Sequence, residues 1–579
     1  MASLLLWWSP SGAPIDETIW RRMVAQVAQD ANLPIPPEAL VQGPDFRALA
    51  LRTLRCEPAP LRYVAPDTLV LAALRHEATD AELIGRRFTE PAAVIRLHPS
   101  TKRLSLSRDL LGHKHLVWAR VPDGILVATR EESLLAHPGV KRDLDAAHIA
   151  AMLAFAAPDD TSTPFIGVHA LAGGMTVELT PDGERTHREL FEPCDDVAGC
   201  SDTQLADRFR ELLEDSVYRT ARGATRIGFS ISSGLDAASI AAIQMRWFKG
   251  EQQPVAVCYG YAVADGADVD ERVPARQLCT ELGIEFDSFD VSTIALAFAL
   301  DRGRTVPIGS VLENPYREFK TEVYRRLASH GVDVTLVGHG ADQFAMTPAN
   351  WLWSAWAARR HDWIRSGLRK YLADRGLVGT LRHPSLRRFA KYLLLGKKGL
   401  MTSRAPDTLP AAFREVWRDT HSAALARFAA WPDPVRAELH FNSLEATDYA
   451  LEVPISERYG LDIRCPFRDW NLVRFVLSTP SYLMAGPIGY KWMQKQAVSA
   501  YLSREWIDRE KCGDLSPLWR RHFELRRNEI VGKLRGSSTR IDRFTNVLDG
   551  SDALEITDPD RLTQLVQFNA WLDAALNGE

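Results

Sequence analysis

Ile227-Gly-Phe-Ser-Ile-Ser-Ser-Gly-Leu-Asp-Ala-Ala-Ser-Ile240 is the stretch on which the fold turns. Arg226 to Ile231 is a short, largely apolar run of the kind that forms a buried parallel strand. Ser232, Ser233 and Gly234 then turn the chain, and Ala237 onward is rich in helix formers. A strand, a loop of small residues and a helix N-terminus make an anion site, because free backbone N–H groups point at the ligand and the helix dipole favours negative charge. Ser232 and Ser233 add hydroxyl donors. Asp236 would repel a phosphate here unless Mg²⁺ lay between them. The plain alternative is an ordinary strand–turn–helix connection. It is not a Walker loop, since no Lys follows the glycine. Nor is it a Gly-x-Ser-x-Gly elbow, since Gly228-Phe-Ser230-Ile runs on to Ser232.

Further along, Pro254–Tyr261 reads as a second strand, Asp270-Glu271 opens a helix ending near Leu282-Gly283, and Glu285–Val291 reads as a third strand. Strand–helix–strand alternation predicts a doubly wound parallel sheet, with ligands at the carboxyl ends of its strands. Val334-Thr-Leu-Val-Gly-His-Gly-Ala-Asp-Gln343 reads as another strand end. Upstream, Ser201-Asp-Thr-Gln204 is a capping box opening a helix to about Arg222.

The 579 residues allow two to four domains, and ordinary apolar content with a formal net charge of -4 predicts a globular, soluble protein. No apolar run is long enough to span a membrane, and Leu4–Trp8 lacks the basic flank of a signal peptide. The seven Cys have no metal-ligand spacing, so reduced thiols and a cytoplasmic location are expected.

Residues 1–190 read as β-rich. Candidate strands are Leu4–Trp8, Thr68–Leu74, Ala93–Leu97, His115–Arg120 and Ile125–Thr129, with a helix at Asp16–Ala31. His113 and His115 are open to two readings, metal ligands or an exposed turn-and-strand face beside Lys114. Phe191–Cys200 reads as a linker. Between Arg359 and Arg404 there are thirteen Lys/Arg and two Asp, with Trp351, Trp353, Trp356 and Trp363 nearby. That segment suits solvated helices, a peptide-holding surface or nucleic acid.

Several of these stretches carry a family resemblance. Ser232–Ala238 resembles the pyrophosphate loop Ser-Gly-Gly-Leu-Asp-Ser-Ser of the ATP-pyrophosphatase superfamily, with Ser233, Ala237 and Ala238 as departures. Leu336–Gln343 resembles Leu-x-Gly-x-Gly-Ala-Asp-Glu, with Gln343 replacing Glu. Gly460-Leu-Asp-Ile-Arg-Cys-Pro-Phe-Arg-Asp469 resembles Gly-x-Glu-x-Arg-x-Pro-Phe-Leu-Asp. Gly489-Tyr-Lys491 and Arg509-Glu-Lys511-Cys-Gly513 resemble Gly-x-x-Lys and Arg-x-Lys-x-Gly. Ser107–Leu116, Asp143–Asp145 and Thr163–Gly174 are similar to class II glutamine amidotransferase segments. The set resembles the asparagine synthetase B and β-lactam synthetase superfamily, and most of all its lasso peptide macrolactam synthetases.

The resemblance implies an α/β protein. Residues 1–195 would form an inactive αββα Ntn-hydrolase-like, glutamine amidotransferase-like domain. Residues 200–530 would form a doubly wound ATP-pyrophosphatase domain with helical additions, and 531–579 a helical tail. It implies ATP bound by Ile231, Ser232, Ser233, Gly234, Leu235, Asp236, Ala237, Val257, Val337, Gly338 and Lys511. Mg²⁺ would sit on Asp236 and Asp342. Catalytic roles would fall to Lys491, His339 and Asp448. Asparagine synthetases carry Glu and β-lactam synthetases Tyr where this chain has His339, which could be a base or only a backbone partner. An active glutaminase of this class needs an N-terminal Cys whose α-amine is the base, and Ala2 is no nucleophile. The expected reaction therefore joins a peptide's own amine to its activated carboxylate. A precursor or core peptide is the expected substrate, and a leader peptidase and leader-binding protein are candidate partners. No nucleic acid or membrane partner is expected. β-Lactam synthetase, ammonia-dependent asparagine synthetase and a peptide-binding pseudoenzyme are the alternatives.

Overall fold

The computed structural model describes residues 2–577 apart from 262–269, 301–308, 343–349, 396–404, 438–447, 486–489, 510–514, 536–540, 545–557 and scattered single or paired positions. The first half holds β1 (Ser3–Trp8), β2 (Leu40–Gln42), β3 (Phe46–Leu51), β4 (Leu61–Ala65), β5 (Thr68–Leu74), β6 (Ala92–His98), β7 (Arg103–Arg108), β8 (Val117–Val121), β9 (Gly124–Ala128), β10 (Val168–Ala170), β11 (Met175–Thr180) and β12 (Gly183–Arg188). They form two six-stranded sheets in the orders β10-β8-β9-β1-β3-β2 and β12-β11-β7-β6-β5-β4. Strand periodicity explains the layering. Leu4, Leu6 and Trp8 of β1 join Leu71, Ile95 and Leu106 between the sheets. Leu5 and Trp7 face the other way, onto Trp20 and Met23 of the helix Glu17–Ala31. Leu83 of the short helix Asp80–Ile84 covers Val70 and Val94 of the second sheet. The result is the expected αββα sandwich.

The second half is built on β13 (Ile227–Ser230), β14 (Val255–Gly260), β15 (Glu285–Asp290), β16 (Val334–Leu336) and β17 (Asp462–Arg464). All pairs are parallel, in the order β15-β14-β13-β16-β17. From β13 the chain steps outward to β14 and β15, then returns to the opposite side for β16 and β17. The strand order therefore reverses between β13 and β16, the position where doubly wound sheets bind ligands. The capping box forms as read, with Ser201 accepting from the Gln204 N–H ahead of the helix Asp202–Ala221.

The two halves share their cores. Leu110 and Leu111, in the loop after β7, sit in one apolar cluster with Phe229 and Phe467 of the second half. The alternation His113-Lys114-His115 is not an exposed face. His113 and Lys114 are buried, His113 Nδ1 lies 2.8 Å from Asp109, and Lys114 Nζ lies 2.8 Å from Glu57. His115 pairs with Glu131 at 2.9 Å. Each imidazole thus has a carboxylate partner, and no group of three metal-capable side chains occurs among the described residues. Burial and the Arg468 guanidinium push the His113 pKa down to about 4, against the pull of Asp109. The helix Ser516–Arg535 runs through the expected boundary at 530, and the helix Pro559–Asn577 is packed rather than trailing. Its Trp571 is fully buried against Phe165, and Ala575 accepts from Arg142 of the first half.

The basic middle segment forms the helices His361–Leu381, Pro384–Leu395 and Ala411–Arg427. Gly376, at φ 65°, breaks the first. Trp363 near its start stacks edge-on against Tyr482 and Trp492, so this layer borders the chain leading to Lys491.

Candidate active site

Two loops meet at the sheet's switch point. After β13, the Ile231 N–H extends the ladder to the Val257 carbonyl at 3.1 Å, and Ser232 Oγ accepts from the Gly234 N–H at 3.2 Å. The helix Leu235–Trp247 then begins, with Asp236 in its first turn. After β16, the Val337 N–H bonds to the Arg464 carbonyl at 3.0 Å, and the chain turns through Gly338, His339 and Gly340 to Asp342. Gly338 is required by close approach, since a Cβ there would lie 2.9 Å from the Asp236 Cβ and 3.3 Å from the Ala237 nitrogen. Gly340 adopts φ +96°, a region that L side chains avoid.

Lys491 closes the site. Its Nζ lies 2.7 and 2.6 Å from the two oxygens of Asp236 and 2.6 Å from Asp342. Both aspartates are therefore in contact with one cation. Lys491 caps the helix Trp492–Val498 from a left-handed backbone, φ 56° and ψ 34°. A non-glycine residue there costs on the order of 1 kcal/mol or more and persists only when its surroundings hold it. Gln494, one turn on, donates to Asp236 at 3.0 Å and lies 3.2 Å from Ser239. Asp342 is the open side of the site, its side chain 62% exposed, against 7% for Lys491.

The charges do not balance, with two carboxylates and one ammonium. Burial raises the Asp236 pKa and Asp342 adds to the rise, while Lys491 and Gln494 oppose it. Burial would lower the Lys491 pKa, but the two aspartates outweigh it and hold the ammonium protonated. The surplus negative charge and the short contacts suit a divalent cation. Mg²⁺ is commonly held by one or two carboxylates, with substrate phosphates and water completing the shell.

A second cluster adjoins the first. His339 Nε2 lies 3.3 Å from Glu452 Oε1, which also pairs with Lys320 at 3.0 Å. The Tyr324 hydroxyl donates to the other oxygen of Glu452. Glu452 is 1% exposed. Burial would raise its pKa, yet Lys320, His339 and Tyr324 together hold it far below the carboxylate range. An ionised Glu452 favours the Nε2–H tautomer of His339.

Of the residues singled out from sequence, Ile231 to Ala237 line the first loop, with Val257 beside it. Val337, Gly338, His339 and Asp342 form the second, and Lys491 joins the two. Asp448 begins the helix Asp448–Glu457, and its side chain lies outside the described residues, as do Lys511 and Gln343. Glu452, Lys320, Tyr324 and Gln494 were not read from sequence. A signal existed, since Lys320 and Tyr324 are four apart on the helix Arg317–Ser329 and Glu452 is four beyond Asp448, so each pair shares a helix face.

The chain is similar to known proteins along most of its length. The profile of the family described as asparagine synthase matches residues 208–573, and that of the glutamine amidotransferase domain matches residues 67–189. The first match takes in most of the final helix. Proteins of Mycobacterium bovis and Mycobacterium tuberculosis named "Putative asparagine synthetase (glutamine-hydrolyzing)" are 22% identical over 529 residues, covering 86% of this chain and 78% of theirs. The U34-tRNA thiolase NcsA of Methanococcus maripaludis aligns at TM-score 0.19 and 15% identity, over 44% of this chain and 78% of its own. The glutamine phosphoribosylpyrophosphate amidotransferase of B. subtilis aligns at TM-score 0.21 and 9% identity, over 58% and 81%. Those scores are too low to carry an argument. The matched span holds both loops, both aspartates and Lys491, and by it the chain belongs to the asparagine synthase family of ATP-dependent amide-forming ligases, joined to a glutamine amidotransferase-type domain.

Proposed function

We propose that this protein is an ATP-dependent macrolactam synthetase that activates an Asp or Glu side chain of a core peptide and closes it onto the peptide's N-terminal amine. The observation that carries this reading is the Lys491 ammonium held at 2.6 Å by both Asp236 and Asp342 at the switch point. Oxygen donors that already grip one cation fit Mg²⁺, which would neutralise charge on the triphosphate. The backbone amides of Ser233 and Leu235, where the first loop enters its helix, would meet the phosphates, and Lys491 would donate to the α-phosphate as pyrophosphate leaves. The substrate carboxylate attacks the α-phosphorus, giving an acyl-adenylate and pyrophosphate. The amine then attacks the acyl carbon. The C–N bond forms, the bond to the phosphate oxygen breaks, and AMP departs. The amine proton passes to His339, backed by Glu452.

The amine must arrive with the substrate. Ala2, ahead of β1, is 1% exposed and carries no nucleophile. Cys56 is no substitute, because burial and then Asp462 push its thiol up to about 11. A peptide amine has a pKa near 8, so it is partly neutral at working pH. The protein incubated with ATP, Mg²⁺ and a leaderless core peptide should yield product lighter by one water, with equimolar AMP. Wild-type protein that makes AMP from no such peptide would contradict the reading. The relatives' names favour a second reading, an asparagine synthetase; with Ala2 in place of the nucleophile it would draw on free ammonia, and aspartate and ammonium in the same assay would reveal it.

A further inference from the structure

We infer that Arg468 is a positioning residue through which the amidotransferase-type domain fixes the loop carrying His339 and Asp342. This rests on the site proposed above. In the motif that this segment resembles, the position is Leu, and here it is a guanidinium 2% exposed. Leucine would need only packing. A buried guanidinium needs acceptors, and one of them comes from the other domain, the Leu111 carbonyl at 3.2 Å from Nη2.

The Leu111 carbonyl is itself held. Asp109, fully buried, accepts from the N–H groups of Leu111 and His113 at 3.2 and 3.1 Å through one oxygen. Its other oxygen accepts from Lys114 and Ala92 at 3.2 and 3.3 Å. Burial opposes ionisation, but His113 and Arg108 hold its pKa at about 2, so the anchor stays charged. Leu110 and Leu111 are seated in the second domain's core.

The other side of Arg468 meets the active-site loop. A Cβ on Gly340 would lie 2.8 Å from the Arg468 Cγ and 3.5 Å from Phe467. The loop is thus clamped twice, by Asp236 against Gly338 and by Arg468 against Gly340. The peptide Phe467-Arg468 is fixed in turn, since the neighbouring Pro466 carbonyl accepts from Ser216 at 2.6 Å. A domain without its own nucleophile therefore keeps a mechanical role. Its loop 109–114 sets Arg468, and Arg468 sets the position of Asp342 and His339.

The test compares wild type, R468M and R468K as full chains. Hydrogen exchange of the peptide Val334–Asp342 reads the loop without requiring catalysis. Loss of a buried charged hydrogen bond predicts exchange faster on the order of tenfold in R468M, with partial rescue in R468K. In pyrophosphate exchange, the half-saturating Mg²⁺ should rise on the order of tenfold in R468M while kcat at saturating metal stays within about twofold. Folded R468M with wild-type loop exchange overturns the inference. If R468M does not fold, R468K decides by the same loop readout. Wild type lacking pyrophosphate exchange would sink the ligase reading and leave the loop measurement standing.

Discussion

Lys491 does two things at the residue scale, and both can be measured. Its ammonium holds the two aspartates together, and on the proposed reading it would stabilise charge on the departing phosphate. K491M should lower pyrophosphate exchange on the order of 10²-fold or more, the range seen for loss of one preorganised charge donor. A folded variant with undiminished exchange would remove Lys491 from the chemistry. On the proposed reading His339 serves the second step. H339Q should slow ring closure on the order of 10²-fold while leaving pyrophosphate exchange nearly intact. Equal loss of both rates would make it structural. The pH dependence follows from Asp236. Its pKa is raised by burial and by Asp342, so a proton competes with metal at a pH where an ordinary aspartate is fully charged. The half-saturating Mg²⁺ should therefore rise as pH falls, beginning above the range in which an ordinary aspartate takes up its proton. A flat profile would show that Asp236 does not bind the metal.

At the scale of elements, the site is a junction of loops whose tolerances are set by close contacts. G338A adds a methyl group within 2.9 Å of the Asp236 Cβ. Both neighbours are backbone-anchored, so the substitution should cost about 1–3 kcal/mol, seen as a lower Tm with weaker metal dependence. An unchanged Tm would mean that the two loops are not pressed together. The elements flanking this junction were legible in the sequence because their signals are local. The apolar run at Ile227, the small residues at Ser232–Gly234 and the capping box at Ser201 each declare themselves within a few positions. Asp236 could be singled out for the same reason, and Asp342 from the motif that its segment resembles. Spacing could place Glu452 on a helix face with Asp448 but not give it a role, because that role depends on His339, Lys320 and Tyr324 converging from other elements. His113-Lys114-His115 misled in the opposite sense. Alternating polar residues look solvated, and only tertiary contacts reveal Asp109, Glu57 and Glu131 as their partners.

On the scale of the whole molecule, two domains with separate sheets share apolar cores and a partly buried ion pair. Leu110 and Leu111 sit among the residues of the second domain, Arg130 pairs with Glu457 at 2.7 Å, and the last helix returns to cover Phe165. That return was not legible from sequence, because a helix's burial depends on which surfaces the rest of the chain offers it. No described helix is long and apolar enough to cross a membrane. On the proposed reading the molecule's chemistry rests on the junction of Asp236, Asp342 and Lys491 at its parallel sheet. The most direct test is calorimetric titration with α,β-methylene ATP, with and without Mg²⁺, of wild type, D236N and D342N. Wild type should bind the nucleotide in a metal-dependent way, and each variant should lose affinity by about tenfold or more. Equal, metal-independent affinity in all three folded proteins would contradict the account.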